Sequence, residues 1–187
     1  MQDEEGLVGE AVRGDQQAFA RLYEAHFDRI YRYVYVKIGD REEAEDMTQQ
    51  VFLNALRSIT SFKYQGTPFT AWLFRIAHNQ IVDHFRKKTK RPVTFEIDET
   101  VPSGAGSPEA AAELSLDMEM VSRATQRLTG AQREVISLRF AGGLSIEETA
   151  RAMGKNPGAI KALQHAAVLA LRKLLVVSED DKLKASS

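Results

Sequence analysis

The chain of 187 residues contains no cysteine, so neither a disulfide framework nor a thiolate zinc site is possible. It also has no apolar run that approaches the roughly 20 residues needed to cross a membrane. Its start, MQDEEGLVGEAV, is acidic and too short in apolar residues for a signal peptide. These absences predict a cytoplasmic protein.

Charge of one sign is not in excess either, because 25 basic and 26 acidic residues give a net charge of -1. The charges are nevertheless segregated. Arg86, Lys87, Lys88 and Lys90 lie close together, whereas residues 92–120 contain acidic residues but no Lys or Arg. Local patches rather than total charge bind phosphate. With 43% hydrophobic residues, the chain can build one or two small domains, one of which has a basic end.

Helical periodicity dominates the first half, and no convincing strand is found. Apolar residues recur every three or four positions over residues 16–38, which Asp15 can cap. Gly39 ends this helix, and Asp40 can cap the next one with Glu43 in the capping-box position. The predicted apolar face of this next helix is Ala44, Met47, Val51, Phe52, Leu56 and Ile59.

Two further helices complete a predicted N-terminal bundle. A short leading helix covers residues 5–14, and Thr67 followed by Pro68 marks the N-cap and first residue of a helix that runs to about Lys88. The prolines, glycines and acidic residues of 92–112 then predict a flexible linker.

A helix-turn-helix is predicted within residues 129–175. Thr129 with Gln132 and Ser145 with Glu148 fit two capping boxes, each opening a helix. The second of these helices has the inward residues Ile146, Ala150 and Met153, and Gly154 can end it in the left-handed conformation. Asn156 and Pro157 then open a third helix, and the pair of helices around the short turn fits a motif that reads duplex DNA.

The aromatic segment FKYQGTPF at 62–69 leads into the helix that ends in FRKKTKR. Bases of unpaired nucleic acid stack on aromatic rings at about 1–3 kcal/mol each, while Lys and Arg follow the phosphates. The predicted buried stripe of this helix is Leu73, Phe74, Ala77, Ile81 and Phe85. Another face carries Trp72, Arg75, Asn79, Asp83 and Arg86. The alternative interpretation places Trp72 in the core and leaves the charges as a solvated face.

Three collinear segments make the chain similar to the extracytoplasmic-function (ECF) sigma factors of the sigma-70 family. They are REEAEDMTQQVFLNAL, SFKYQGTPFTAWLFRIAHNQIVDHFRKK and LTGAQREVISLRFAGGLSIEETARAMGKNPGAIKALQHA. The resemblance implies an all-α fold with a region 2-like domain at 1–91, the linker at 92–112, a region 4-like helix-turn-helix domain at 113–177 and a tail at 178–187. It implies an initiation factor that needs no cofactor and binds core RNA polymerase at the β′ clamp helices and the β flap.

The resemblance also assigns roles to individual residues. Core polymerase would be bound by Asp46, Gln49, Gln50, Phe52 and Asn54, with Phe52 as an exposed aromatic. The minus-ten element would be captured as single-stranded DNA by Phe62, Lys63, Tyr64, Phe69, Trp72, Arg75, Asn79, Arg86 and Lys87. The minus-thirty-five element would be read as duplex by Asn156, Gly158, Lys161, Gln164 and His165. By chemistry, Lys161 can donate to guanine and Gln164 can pair with adenine.

Two departures from the family pattern stand out, since many relatives have Glu at Gln50 and Arg at Ala166. An anti-sigma factor is expected as a further partner. The competing hypothesis is a conventional helix-turn-helix regulator that binds an operator without polymerase. An enzyme would need a site such as His78, Asp83 and His84, whose spacing does not place them on one helix face as a zinc-binding i, i+4 pair would be.

Overall fold

The computed structural model describes residues 3–63, 67–89 and 118–185, and these residues are helical with no strand among them. The all-α fold class is confirmed. The predicted linker at 92–112 and Tyr64 lie outside the described residues. The helices are α1 (Asp3–Val12), α2 (Gln16–Ile38), α3 (Arg41–Ser58), a 3-10 turn (Ile59–Ser61), α4 (Phe69–Thr89), α5 (118–126), α6 (Gly130–Ile136), a π turn (Ser137–Ala141), α7 (Ile146–Met153) and α8 (Pro157–Ala185).

The predicted ends of α2 are those of the structure. The Asp15 carboxylate accepts from the backbone N–H groups of Gln17 and Ala18 at 2.8 and 3.1 Å. Gly39 ends the helix with φ 81°, a left-handed conformation in which glycine carries no Cβ penalty. Asp40 then accepts from the backbone of Glu43 at 2.8 Å, which caps α3 as predicted.

Two helix ends differ from prediction. The carbonyl of Pro68 accepts the first bond of α4, from the N–H of Trp72 at 3.2 Å, so Pro68 precedes the helix and Phe69 is its first residue. At the other end of the chain, α8 continues to Ala185 although the apolar period ends near residue 175. Backbone bonds within a helix do not need an apolar face, so the helix runs into the predicted tail.

Two clusters of buried side chains form the core. The larger cluster lies among α1 to α4 and includes Tyr33 and Phe74, and it also receives Leu138 and Leu144 from the C-terminal half. The smaller cluster lies among α6, α7 and α8. It consists of Leu128, Val135, Ile136, Ala150, Ile160 and Ala167. Because Leu138 and Leu144 cross into the larger cluster, the two halves pack against each other.

Two residues predicted to point inward are exposed instead. Leu56 on α3 and Phe85 on α4 are 46% and 39% exposed. Both belong to apolar stripes with spacings of three and four, which allow either flank of a stripe to face the core. Only the position of the neighbouring helices decides which flank is covered.

Candidate nucleic-acid interface

The helix-turn-helix is built by local capping. Ser145 and Glu148 exchange bonds at 2.7 and 3.1 Å to open α7, and Gly154 ends it at φ 62° and ψ 35°. Asn156 then accepts from the backbone of Ala159 at 2.8 Å, which fixes the start of α8. The predicted caps of this motif are confirmed. Gly154, Lys155 and Asn156 form the turn that sets the angle between the two helices.

The exposed side of α8 carries most of the predicted duplex-reading residues. Asn156, Gly158, Lys161 and His165 are exposed. Gln164 differs from them, since it is half-buried and its Oε1 accepts from Nε of Arg139 at 2.9 Å. The exposed side also includes Ala162, Ala166 and Leu169, so apolar groups lie between the basic ones. Sequence reasoning did not identify Arg139 as part of this surface, because its contact with Gln164 is tertiary.

The predicted polar side of α4 is exposed as a row. Arg75, Asn79 and Arg86 follow one another at spacings of four and seven, and Lys87 lies beside them. Val82, which is 48% exposed, sits in the same row and was not predicted there. Arg86 pairs with Asp83 at 3.0 Å, so the row contains one neutralising carboxylate. This surface offers cations, an amide and an apolar patch side by side.

The aromatic residues that precede this row are part of the core. Phe62 and Phe69 are buried, and each ring packs on Trp72 with centroids 5.1 and 5.5 Å apart. Rings enclosed in this way cannot stack on a base, so the expectation of Phe62 and Phe69 as stacking platforms is wrong. They instead support Trp72, which is half-buried, while Lys63 is exposed.

The surface predicted to bind polymerase is polar along α3. Asp46, Gln49 and Gln50 are exposed and Asn54 is half-buried, with Gln50 donating to Asn54 at 3.1 Å. Phe52 is not the exposed aromatic that was expected, because it is 3% exposed. It packs on α2, with ring centroids 4.7 Å from Tyr23 and 6.2 Å from Phe27.

Apolar groups nevertheless reach this surface through two leucines. Leu53 and Leu56 are 47% and 46% exposed and, with Phe19, Tyr23, Gln49 and Phe52, line a groove of about 270 Å³ between α2 and α3. A second, polar groove of about 600 Å³ lies between α3 and α4 and includes Asp46, Gln50 and Asn54. The predicted polymerase residues therefore lie between two concave surfaces.

The three residues weighed as a catalytic or metal site have separate partners. His78 Nδ1 lies 3.1 Å from a carboxylate oxygen of Glu134, Asp83 pairs with Arg86, and His84 Nε2 lies 3.2 Å from a carboxylate oxygen of Glu43. Within the described residues, no group of three or more His, Cys, Asp or Glu side chains could hold a metal ion. The same residues contain no helix that is both long and apolar enough to cross a membrane.

A buried polar cluster joins the two halves of the chain. Glu134 on α6 accepts from the Tyr33 hydroxyl at 2.7 Å and from Lys37 Nζ, both on α2. His78 Nδ1 on α4 lies 3.1 Å from the same carboxylate. Burial alone raises the pKa of Glu134, but the hydrogen bonds and the positive charge of these partners outweigh it and lower the pKa to about 2. Burial also raises the pKa of Tyr33 well above its usual value.

The π turn provides a second connection. Arg29 donates through Nε to the carbonyl of Gly142 at 2.8 Å, and Arg32 donates to that of Ala141 at 3.2 Å. Gly142 approaches the Phe74 ring so closely that a Cβ would lie 2.6 Å from its nearest atom. Charged side chains of α2 therefore satisfy turn carbonyls of the C-terminal half, and glycine is required at the point of closest contact.

Together, a helix-turn-helix with an exposed basic face and a second helix with an exposed cationic row define a nucleic-acid-binding protein with two distinct surfaces. The Sigma-70 region 2 family model matches residues 22–91, and the Sigma-70, region 4 model matches residues 124–173. The chain therefore belongs to the sigma-70 family, and its relatives place it among the ECF RNA polymerase sigma factors.

Those relatives include the ECF RNA polymerase sigma factor BldN of Streptomyces coelicolor, 45% identical over 170 residues, which cover 90% of this chain and 64% of BldN. SigD of Mycobacterium tuberculosis is 31% identical over 183 residues, covering 94% of this chain and 85% of SigD. Among solved structures, CnrH in complex with the cytosolic domain of CnrY has a TM-score of 0.72 at 26% identity, covering 94% of this chain and 98% of that chain. RpoE of Bartonella quintana in complex with the anti-sigma factor NepR has a TM-score of 0.65 at 27% identity, covering 85% and 97%. The chain thus spans about two thirds of the length of BldN. It spans 85% or more of the length of the other three relatives.

Proposed function

We propose that this chain is a cytoplasmic transcription initiation factor that binds core RNA polymerase and directs it to specific promoters, without catalytic chemistry of its own. The observation that carries the proposal is the presence of two exposed nucleic-acid surfaces of different character on one chain. The α8 face suits a major groove, whereas the α4 row suits a single strand. A conventional operator-binding regulator needs only the first of these surfaces.

The duplex surface is proposed to read the minus-thirty-five element. Lys161 and His165 are exposed at the start of α8, where helix-turn-helix proteins contact base edges, and Asn156 and Gly158 lie at the adjacent helix start. Gln164 contributes from the edge of this face. Each specific base contact is worth about 1–3 kcal/mol of discrimination.

The α4 row is proposed to capture the minus-ten element as a single strand. Arg75, Arg86 and Lys87 would hold the phosphates, Asn79 would read a base edge, and the exposed part of Trp72 would stack on a base. Lys63, at the edge of the preceding loop, would add a phosphate contact. Phe62 and Phe69 act only by supporting Trp72 from the core, because both rings are buried.

Core polymerase is proposed to dock on α3 through Asp46, Gln49, Gln50 and Asn54, in the manner expected for the β′ clamp helices, with the region 4-like half on the β flap. The buried ring of Phe52 packs beneath this surface, against α2. The predicted domain bounds at 1–91 and 113–177 are retained as part of the proposal. An anti-sigma partner is also proposed, because the solved relative RpoE is bound to the anti-sigma factor NepR.

The test is run-off transcription with purified core polymerase and a pool of promoter fragments from the source organism, with and without the full chain. We expect start sites that depend on the chain, an altered upstream preference for Lys161→Ala, and impaired promoter opening, measured by permanganate reactivity, for Asn79→Ala. Glu24→Ala, on the exposed surface of α2 outside the proposed surfaces, is the control. Binding to a duplex operator without polymerase, and no initiation with it, would favour the conventional regulator.

A further inference from the structure

Gln164 presents its side-chain amide to the duplex-reading surface in one orientation. Its Oε1 accepts from Nε of Arg139 at 2.9 Å. An arginine guanidinium has hydrogen-bond donors but no acceptor, so the oxygen of Gln164, and not its nitrogen, must face Arg139. The amide nitrogen with its two N–H groups is consequently directed away from Arg139.

Arg139 is itself held in place. Its Nη1 donates to the carbonyl of Leu144, just before the cap residue of α7. The guanidinium therefore has one anchor on the backbone beside the helix-turn-helix and one on the recognition helix, and both residues are half-buried. A planar group anchored at two points loses little further freedom when Gln164 binds a ligand.

The orientation limits what Gln164 can read. A glutamine recognises adenine by accepting from N6 through Oε1 and donating to N7 through Nε2, which requires both atoms to point at one base edge. The bond from Arg139 occupies one of the two lone pairs of Oε1 and turns the oxygen toward Arg139, so the side of the amide away from Arg139 presents its two N–H groups rather than an acceptor and a donor together. Guanine presents two acceptors, N7 and O6, in the major groove.

We propose that Arg139 is a positioning residue that holds the Gln164 amide so that it donates to guanine and disfavours adenine in the upstream promoter element. This inference rests on the proposed function, and it replaces the pairing of Gln164 with adenine expected from the sequence. Nearby Lys161 is also a donor, so this part of the surface offers donors to the groove.

The experiment is run-off transcription by core polymerase with the full chain from a promoter pool in which the upstream element is randomised, followed by sequencing of the transcribed templates. Gln164→Ala identifies the base pair that Gln164 reads, as the position where the preference disappears. The wild type is expected to favour guanine there. Arg139→Met, which keeps an unbranched side chain but removes its donors, is expected to reduce the guanine-to-adenine ratio at that position about tenfold.

Three further variants separate positioning from a merely structural role. In a Gln164→Ala background, Arg139→Met should leave the base preference unchanged, since no amide remains to be oriented. Gln164→Glu keeps the acceptor for Arg139 but has no N–H group, so it should lose the guanine preference. This variant tests the proposal even if the Arg139→Met chain does not fold. Arg139→Lys, which retains a donor, should restore part of the preference.

The outcomes distinguish the inference from the proposed function. No chain-dependent transcript from the wild type would overturn both. Normal initiation with adenine favoured at the Gln164 position, or with guanine still favoured by Gln164→Glu, would overturn the positioning role alone. An even loss of transcription on all templates for Arg139→Met, with an unchanged ratio, would assign Arg139 a structural role only.

Discussion

Glu134 shows at the scale of one residue how the two halves of the chain are held together. Its carboxylate lies on α6, yet its partners Tyr33, Lys37 and His78 belong to α2 and α4. Both Glu134 and Lys37 are at most 9% exposed. Removing one member of such a pair leaves the other charge buried without compensation, which costs more than the pair itself contributes.

Glu134→Gln is therefore expected to lower the free energy of unfolding by about 3–5 kcal/mol, because Lys37 keeps its charge in a buried place. Urea denaturation followed by circular dichroism measures the loss. The matched control is Glu119→Gln, which removes the partner of Arg123 on the exposed surface of α5 and should cost less than about 1 kcal/mol. Equal small effects of the two substitutions would contradict the role of the buried cluster.

The same carboxylate predicts a dependence of stability on pH. Its pKa falls from 4.5 to about 2 in the folded chain because the favourable contacts of His78, Lys37 and Tyr33 outweigh burial. A lowered folded-state pKa stabilises the fold above the unfolded value, and this contribution disappears as pH falls through the folded value. The shift corresponds to about 3 kcal/mol.

The difference in unfolding free energy between the wild type and Glu134→Gln should thus shrink as the pH falls from 4.5 to about 2. Comparing the two chains isolates Glu134 from the other carboxylates. The groups that face this carboxylate are Lys37, His78 and Tyr33. A difference that stays constant down to pH 2 would show that Glu134 is not the titrating group.

At the scale of the element, α7 depends on the cap residue that precedes it. Ser145 and Glu148 satisfy backbone N–H groups that no bond within the helix can reach. A helix of 8 residues gains little from its own backbone bonds, so the cap and the packing against α8 hold it in place.

Ser145→Ala is expected to destabilise the chain by about 1 kcal/mol and to accelerate hydrogen exchange in α7, because it leaves the N–H of Glu148 without its acceptor. Ser58→Ala is the control, since the Ser58 hydroxyl donates to the Asn54 carbonyl within α3 and caps no free N–H. If the two variants exchange α7 protons at the same rate, the cap does not determine the stability of this helix.

At the scale of the whole molecule, the proposed contacts with two promoter elements require a longer reach than the packed arrangement of the two halves provides. The minus-ten and minus-thirty-five elements are about 25 base pairs apart, or about 85 Å at about 3.4 Å per base pair. A compact chain of this length has a radius of gyration of only about 16 Å. If the α4 and α8 surfaces bind these two elements as proposed, the halves must separate for both to be reached.

A substitution of Gly142 tests whether the two halves are packed together in solution. A Cβ at this position would lie 2.6 Å from the Phe74 ring, closer than real Cβ contacts, so Gly142→Ala must shift the ring or separate the halves. We expect a lower unfolding free energy, by about 1–3 kcal/mol, and a larger radius of gyration by small-angle X-ray scattering. Gly130→Ala, where a Cβ has no atom within 4 Å, should neither lower the unfolding free energy nor enlarge the radius of gyration.

An unchanged radius and stability for Gly142→Ala would mean that the two halves are not packed in solution as they are in this structure. If instead the variant opens while core polymerase still initiates with it, separation of the halves is compatible with promoter binding. The buried Glu134 cluster and the Gly142 contact would then both act on the same equilibrium between closed and open forms.

The sequence by itself determined the features that depend on residues close together in the chain. A cap or a capping box is made within three or four residues, so it can be read from the sequence. The features predicted in this way are the ends of α2, the caps of α3, α7 and α8, and the left-handed Gly39 and Gly154. The exposure of Lys161, Arg75 and their neighbours followed from the same helical period. Their roles in binding DNA remain predictions.

Only the tertiary structure decided which apolar and polar groups meet across the chain. Phe52, Phe62 and Phe69 are buried while Leu56 and Phe85 are exposed, since a periodic stripe does not say which flank its neighbours cover. Arg139 reaches Gln164 across 25 positions and Lys37 reaches Glu134 across 97. No local pattern records such pairs, because they arise from the packing of whole helices.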